Sequence, residues 1–370
     1  MKVCKTAPLK VIMNNPHSKH NYFAWPTVAM LKNGRIAVGA SGYRIEHVCP
    51  FGKTVLAFSE DGGETYTGAI PVIDTVLDDR DAGLCPFGES GLILTSFNNT
   101  VDFQRMRGET VPEGKIKDYR NAYLELVTPQ EQEKYLGATF RISYDNGITF
   151  GQIYKSPITS PHGPVELKDG TVLWVGRTYS HDDAKKANDH IAVYAINTQN
   201  GECEHIGDIG DIEHPSIDVL SCEPFVIELD DGSLLCHIRA QGVFEDGRKM
   251  LTLYQTKSFD RGRSWTKPKM IIGENDGAPS HIIRHSSGVL VCTYGRRTRP
   301  FGIRVMFSND NGESWDNGHI LYENKYTADL GYPSTIELSD GSLLTVFYAH
   351  EGEREETPAV IMQQKWRIEQ

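Results

Sequence analysis

The chain has 370 residues, 39% apolar and 24% charged, with a formal net charge of −11. That composition supports a sizeable globular core and argues against disorder, while the acidic excess argues against nucleic acid or an anionic membrane surface as the main partner. Seven scattered cysteines without CxxC spacing suit reduced thiols better than a disulfide scaffold or a zinc site.

The segment Met1–Lys10 has no apolar h-region, so the expected localisation is cytoplasmic, and no stretch approaches the length of a membrane span. Beyond it the chain reads as six β-hairpins, each an apolar strand, a polar–Gly turn and a second apolar strand. Their turn glycines are Gly34, Gly91, Gly170, Gly232, Gly288 and Gly341, spaced 57, 79, 62, 56 and 53 residues apart. A third strand follows each hairpin: Thr54–Phe58, Ala138–Ile142, Ile191–Ile196, Leu251–Thr256, Ile303–Phe307 and Ala359–Gln363.

After the third strand in units one, two, four and five comes a box of the form Ser-x-Asp-x-Gly-x-Thr/Ser-aromatic. The copies are Ser59–Tyr66, Ser143–Phe150, Ser258–Trp265 and Ser308–Trp315; unit three carries a degenerate version at Asn197–Gly201. Asp bonds local backbone amides, Gly supplies positive φ, and the aromatic enters a core. A four-stranded antiparallel unit repeated six times predicts an all-β, six-bladed propeller spanning 1–370 as one domain. Unit six ends the chain, so Val3–Met13 is expected to supply its outer strand. The long second interval holds a charged insertion at about 103–134, expected as a surface excursion.

In such a ring the hairpin and box turns share one face, and the innermost-strand entries and second-strand exits share the other. Those positions gather Trp25, Asp79-Arg80-Asp81, His162, Cys222-Glu223 and Tyr332 with Arg44, Arg177, Arg239 and Arg296 to Arg299. Convergent arginines in an acidic protein point to an anionic ligand. His162 reads as a pocket-wall or structural histidine, and neither metal nor cofactor is expected.

With these boxes and pocket positions the chain resembles the sialidase (neuraminidase) superfamily of six-bladed, Asp-box propellers, over nearly its whole length. The resemblance implies a retaining exo-glycosidase acting on a terminal acidic sugar. Tyr332 in Gly331-Tyr332-Pro333-Ser334 would be the nucleophile, with Glu223 in Ser221-Cys222-Glu223-Pro224 as its base. Arg239, Arg297 and Arg44 would hold the acidic group, with Asp81, Arg80, His162, Arg177 and Trp25 lining the pocket.

Two departures stand out. The Phe/Tyr-Arg-Ile-Pro segment of the family reads Phe23-Ala24-Trp25-Pro26 here, replacing an arginine by Ala24. The loop that carries the family's acidic Asp reads Arg44-Ile45-Glu46-His47, so Glu46, His47 or a blade-two aspartate (Asp79 or Asp81) would have to protonate the leaving group. The alternatives are a glycosidase of the same fold with another sugar specificity, and a non-catalytic propeller that binds glycans or proteins.

Overall fold

The computed structural model describes residues 1–180, 189–351 and 358–369. Alternating apolar residues build six antiparallel sheets, each ordered from the central axis outward. Blade one is Tyr22–Met30, Ile36–Arg44, Lys53–Ser59 and Ile70–Ile73; blade two is Leu84–Phe87, Gly91–Phe97, Ala138–Ser143 and Tyr154–Ser156. Blade three splits its innermost strand into Ile158–Thr159 and Val165–Glu166, followed by Val172–Thr178, Ile191–Ile196 and Cys203–Ile209. Blade four is Leu220–Glu228, Leu234–Val243, Lys249–Ser258 and Lys269–Met270. Blade five is Ser280–Arg284, Leu290–Arg296, Phe301–Ser308 and Asp316–Asn324.

Blade six contributes Gly331–Glu337, Leu343–His350 and Ala359–Glu369, and the N-terminal strands Lys2–Lys5 and Lys10–Met13 pair with the last of these. The expected closure by Val3–Met13 is therefore present, and the ring is sealed by residues from both ends of the chain. This matters because an open ring leaves an unpaired strand edge.

The core lies between blades. At the seam of blades six and one, Val28, Ile36 and Val38 meet Leu344 and Val346, all buried; similar clusters follow around the ring. Each such side chain is worth about 1.5–3 kcal/mol of transfer free energy, so apolar burial is a large part of what joins the blades, supplemented by cross-blade hydrogen bonds. The Ser-x-Asp-x-Gly turns sit at these seams. In the first, Asp61 Oδ1 accepts from Thr65 N at 2.8 Å and Gly63 N donates to Ser59 Oγ at 2.8 Å. Its Tyr66 hydroxyl reaches Gln363 of blade six at 2.5 Å, and Trp315 of the fourth box donates to Gln255 of blade four at 2.8 Å.

A second seam device recurs on the same face. Inner-strand glutamates cap the preceding blade's hairpin: Glu166 accepts from Gly88 N, Glu228 from Lys168 N and Glu337 from Ser286 N, at 2.6–2.8 Å. A cavity of about 820 Å³ opens among these strand ends, but these carboxylates on its wall are already spent on backbone amides.

The insertion forms three helices, Val101–Gly108, Lys115–Leu126 and Pro129–Tyr135. Thr100 caps the first, accepting from Phe103 N at 3.1 Å, and Thr128 with Glu131 forms a capping box on the third. The insertion sits at the entry end of the propeller, where blade two's second strand exits.

Candidate active site

Every blade interrupts its innermost strand at the entry end, and four blades do so with a non-glycine residue in the left-handed region. These are Trp25 (φ 53°), Asp81 (φ 48°), Glu223 (φ 50°) and Tyr332 (φ 49°) of blades one, two, four and six. The ladder slips at three of them, between Ala24 and Thr27, Cys222 and Phe225, and Gly331 and Ser334. A bulge of this kind turns a side chain that would lie in the sheet toward the axis. Left-handed backbone in non-glycine residues costs about 1–3 kcal/mol each and gathers at functional sites.

Two of these residues meet across the axis. The Tyr332 hydroxyl donates to Glu223 Oε1 at 2.5 Å, and Arg239 Nη1 donates to Glu223 Oε2 at 2.6 Å and to the Tyr332 hydroxyl at 3.3 Å. Arg239 Nη2 is fixed by Gln241 at 2.7 Å. The Arg297 guanidinium lies 5.4 Å from the Tyr332 ring centroid, held by Leu330 O and the Tyr348 hydroxyl at 3.0 Å each. Of its neighbours, Arg296 pairs with Asp276 and Arg299 with Lys325 O, so Arg297 is the blade-five arginine beside Tyr332.

Burial pushes the Glu223 carboxyl up, but the Arg239 charge and the hydrogen bonds from Tyr332 and Arg239 outweigh it and hold the group below its ordinary value. The Tyr332 hydroxyl is pushed well above its own by burial and by the Glu223 charge. The pair therefore rests as a phenol hydrogen-bonded to a carboxylate, an arrangement that can pass the phenol proton to the carboxylate.

Arg44 departs from expectation. Its side chain has 0% exposure and is paired with an equally buried Asp78 at 2.6 Å, with Ser41 Oγ at 2.8 Å and His47 O at 2.8 Å filling its remaining donors. It cannot reach a ligand from there. Gly52 is required for this packing, since a Cβ on it would stand 2.1 Å from Arg44 Nη1 and 2.5 Å from Asp78 Oδ1. Asp78, absent from the sequence-based pocket, is the hub: it also accepts from Arg80 at 3.3 Å and from Cys49 N at 3.0 Å. Trp25, only 2% exposed, stacks under Arg80 at 4.0 Å and Arg44 at 4.9 Å. It is a platform for cations rather than an open wall.

Glu46 also departs. Its carboxylate turns from the axis to Arg120 of the second insertion helix, at 3.2 Å. The Arg120 guanidinium lies flat on Gly108, where a Cβ would approach Nη1 to 1.2 Å. With Phe51 stacked on Tyr119 at 4.7 Å, this contact ties the insertion to the 45–52 loop. Arg120→Met is expected to accelerate amide hydrogen exchange across residues 45–52 and the insertion helices, where it also loses its bond to Gln104 O, while leaving the blade-four strands protected.

That loop carries His47, half-exposed, with its edge against Trp25 at 4.9 Å. His47 Nδ1 lies 3.1 Å from the Tyr22 hydroxyl and 3.3 Å from Asp329. Asp329, missed by sequence reasoning although three residues before Tyr332, also accepts from Tyr22, Tyr348 and His350 at 2.9–3.0 Å. Burial pushes its carboxyl up, but the hydrogen bonds and charges of His350 and His47 outweigh it and hold the group far below the usual range. Burial and the charges of Arg80 and Arg44 pull His47 below its ordinary value, against the Asp329 hydrogen bond.

His162 is buried in the channel, with Nδ1 3.1 Å from Thr27 Oγ1 and its ring against Phe225 and His281; burial lowers its pKa to about 3. Arg177 donates to Ser221 O at 2.6 Å and sits 3.8 Å from Asp189, bracing the strand that presents Glu223. Among the described residues no cluster of His, Cys, Asp and Glu could hold a metal.

The model of the BNR repeat-like domain matches residues 123–345, more than half of the chain. The chain belongs to the BNR repeat-like family. No curated protein sequence matches it. Among solved structures this BNR repeat-like propeller is similar to a protein of unknown function from Dyadobacter fermentans, at 19% identity and TM-score 0.75, covering 99% of both chains. It is also similar to a sialidase of Streptococcus pneumoniae, at 14% identity and TM-score 0.64, covering 98% of this chain and 71% of that one. An α-L-arabinofuranosidase of Fusarium graminearum follows at 12% identity and TM-score 0.63, covering 98% of each. At these identities the likeness establishes the six-bladed fold, and the fold relatives include glycoside hydrolases of more than one specificity.

Proposed function

We propose that this propeller is a retaining exo-glycosidase that uses Tyr332 as nucleophile and Glu223 as its base. The 2.5 Å contact between Tyr332 Oη and Glu223, with Arg239 and Arg297 beside it, is the observation that carries the reading. A phenol suits an anomeric carbon bearing a carboxylate, because a carboxylate nucleophile would be repelled there, and sialidases with a Tyr nucleophile are the known departure from the two-carboxylate rule. Arg239 and Arg297 would hold the acidic group of sialic acid or a related sugar.

A second specificity has its own support. Ala24 stands where a third arginine is expected, Arg44 is sealed against Asp78, and Arg239 already spends one donor on Glu223. Two arginines with partners grip a carboxylate less firmly than three free ones, which favours a sugar with a weaker anionic demand, or a neutral one.

The test is a panel of 4-methylumbelliferyl glycosides that includes the α-sialoside and the α-L-arabinofuranoside. Release from the sialoside by wild type and not by Tyr332→Phe supports the first specificity, and release from the arabinofuranoside alone supports the second. No release from any member, with retention on a glycan array, would replace the enzyme reading by that of a binding propeller.

A further inference from the structure

Asp81 is a third titratable residue on the ring of inner-strand entries that carries Tyr332 and Glu223, close enough for its charge to be felt by the Tyr332 hydroxyl, and the nucleophile pair makes no use of it. It heads the innermost strand of blade two as Glu223 heads that of blade four and Tyr332 that of blade six, so the three stand on alternate blades around one axis. Their backbones agree, with φ of 48°, 50° and 49°. The repeat thus sets three acidic or phenolic residues at inner-strand entries of one end of the ring by one strained conformation used three times.

The surroundings of Asp81 differ from those of its neighbours in sequence. Asp78 is ion-paired with Arg44, and its Oδ2 accepts from Arg44, Arg80 and Cys49 N. Asp79 accepts from Thr75 N, Thr75 Oγ1 and Asn98. Asp81, 7% exposed, has no hydrogen bond or ion pair among the described residues. An unpaired carboxylate in so dry a place is costly, and it relieves the cost by keeping a proton. Burial raises its pKa to about 7; Arg80 and Arg44 oppose the rise, while the charges of Glu223 and Asp78 add to it. The Asp81 charge in turn raises the Tyr332 and Tyr179 hydroxyls. His47 is the contrast, since its Nδ1 is taken by Tyr22 and Asp329 and burial pulls its pKa down.

We propose that Asp81 is the acid that protonates the leaving group and the base that later activates water. The assignment rests on Tyr332 and Glu223 being the nucleophile pair. In the first step Tyr332 Oη bonds to the anomeric carbon and its proton passes to Glu223. The glycosidic C–O bond breaks with its electron pair on the leaving oxygen, which takes the proton of Asp81. In the second step water attacks the same carbon and gives a proton to the Asp81 carboxylate. The Tyr332–carbon bond breaks, and the phenolate recovers its proton from Glu223. All three side chains end as they began.

The test is Asp81→Asn on two glycosides of whichever sugar wild type releases, one with 2,4-dinitrophenol as leaving group and one with methanol. A proton donor matters only for the poor leaving group, so kcat/KM on the methyl glycoside is expected to fall about 10²–10⁴-fold, with little change on the dinitrophenyl substrate. The alkaline limb of the wild-type pH profile is expected to vanish in the variant. Equal losses on both substrates, or a retained limb, overturn the assignment, as does the appearance of this signature in His47→Gln instead. Full activity of Tyr332→Phe would sink the nucleophile reading and leave the leaving-group signature of Asp81 standing.

A second readout needs no substrate. The folded pKa of Asp81, about 7, lies above the unfolded value of about 3.9. The folded protein therefore binds the extra proton between these values, and stability falls as pH rises through that window. Asp81→Asn, a neutral isostere, is expected to melt further above wild type at pH 8 than at pH 5, which lies low in that window. Equal differences at the two pH values overturn the proposal, and Asp81→Ser repeats both measurements should the first variant misfold.

Discussion

Tyr332→Phe is expected to lower kcat/KM on the released glycoside by about 10⁴-fold or more, the scale on which loss of a covalent nucleophile registers. The substitution removes one oxygen from a ring that otherwise stays in place, flanked by Trp25 at 6.5 Å and Tyr348 at 6.1 Å. The Glu223–Arg239 pair at 2.6 Å survives it, so the pocket keeps its charge and folding is expected to be unaffected. Rapid-quench kinetics with a dinitrophenyl glycoside should show a burst in wild type and none in the variant. Activity within about tenfold of wild type would mean that the phenol is not the nucleophile, since no hydrogen-bonding role explains the remainder of such a loss.

The second large effect is on stability. Asp78→Asn is expected to destabilise the fold by about 3–5 kcal/mol, the range for removing one partner of a buried pair, because it leaves the Arg44 guanidinium charged with no exposed surface. Burial pushes the Asp78 carboxyl up, but Arg44 and Arg80 outweigh it and hold it below its ordinary value. A folded pKa below the unfolded one means the stabilisation is present above the unfolded value of about 3.9 and is lost as pH falls through the folded one. Urea unfolding of both proteins at pH 7 checks the magnitude. The two curves should converge in acid. If Arg44 gripped substrate instead, Arg44→Met would raise KM with unchanged stability; the expected outcome is the reverse, a lower melting temperature as the first effect.

Much of the ring was legible in the residues. The glycine spacing counts six hairpins, the boxes mark the outer turns, and the widened second interval holds the three helices. These features are local: a turn needs Gly and an Asp within a few positions, and a strand shows its buried face by alternation. The helices themselves escaped the reading, since the insertion has a weak apolar stripe and its buried Arg120 and Leu124 look no different in sequence from exposed neighbours.

The positions of the pocket were legible too, because a propeller brings strand entries together wherever they fall in the chain. Tyr332 and Glu223 are 109 residues apart, yet the repeat alone puts both at inner-strand entries. What each arginine does was not legible. Arg44, Arg239 and Arg297 are alike in the sequence, all at strand ends, but Arg44 is sealed by an aspartate 34 residues away while the other two flank Tyr332. Glu46 and His47 are adjacent, and the loop sends one to the insertion and the other to Asp329.

The sequence by itself determined the number of blades, the face on which the inner-strand entries gather and the residues that head the inner strands, because turn and strand preferences act over a few residues and repeat. Only the tertiary structure decided which charged groups are paired and which are left over. Pairing is a competition among side chains far apart in the chain, settled by burial and by a few tenths of an ångström. That competition consumed Arg44, Asp78, Asp79 and Glu46, and among the described residues left Asp81, on the same ring of strand entries as Tyr332 and Glu223, with no hydrogen bond or ion pair.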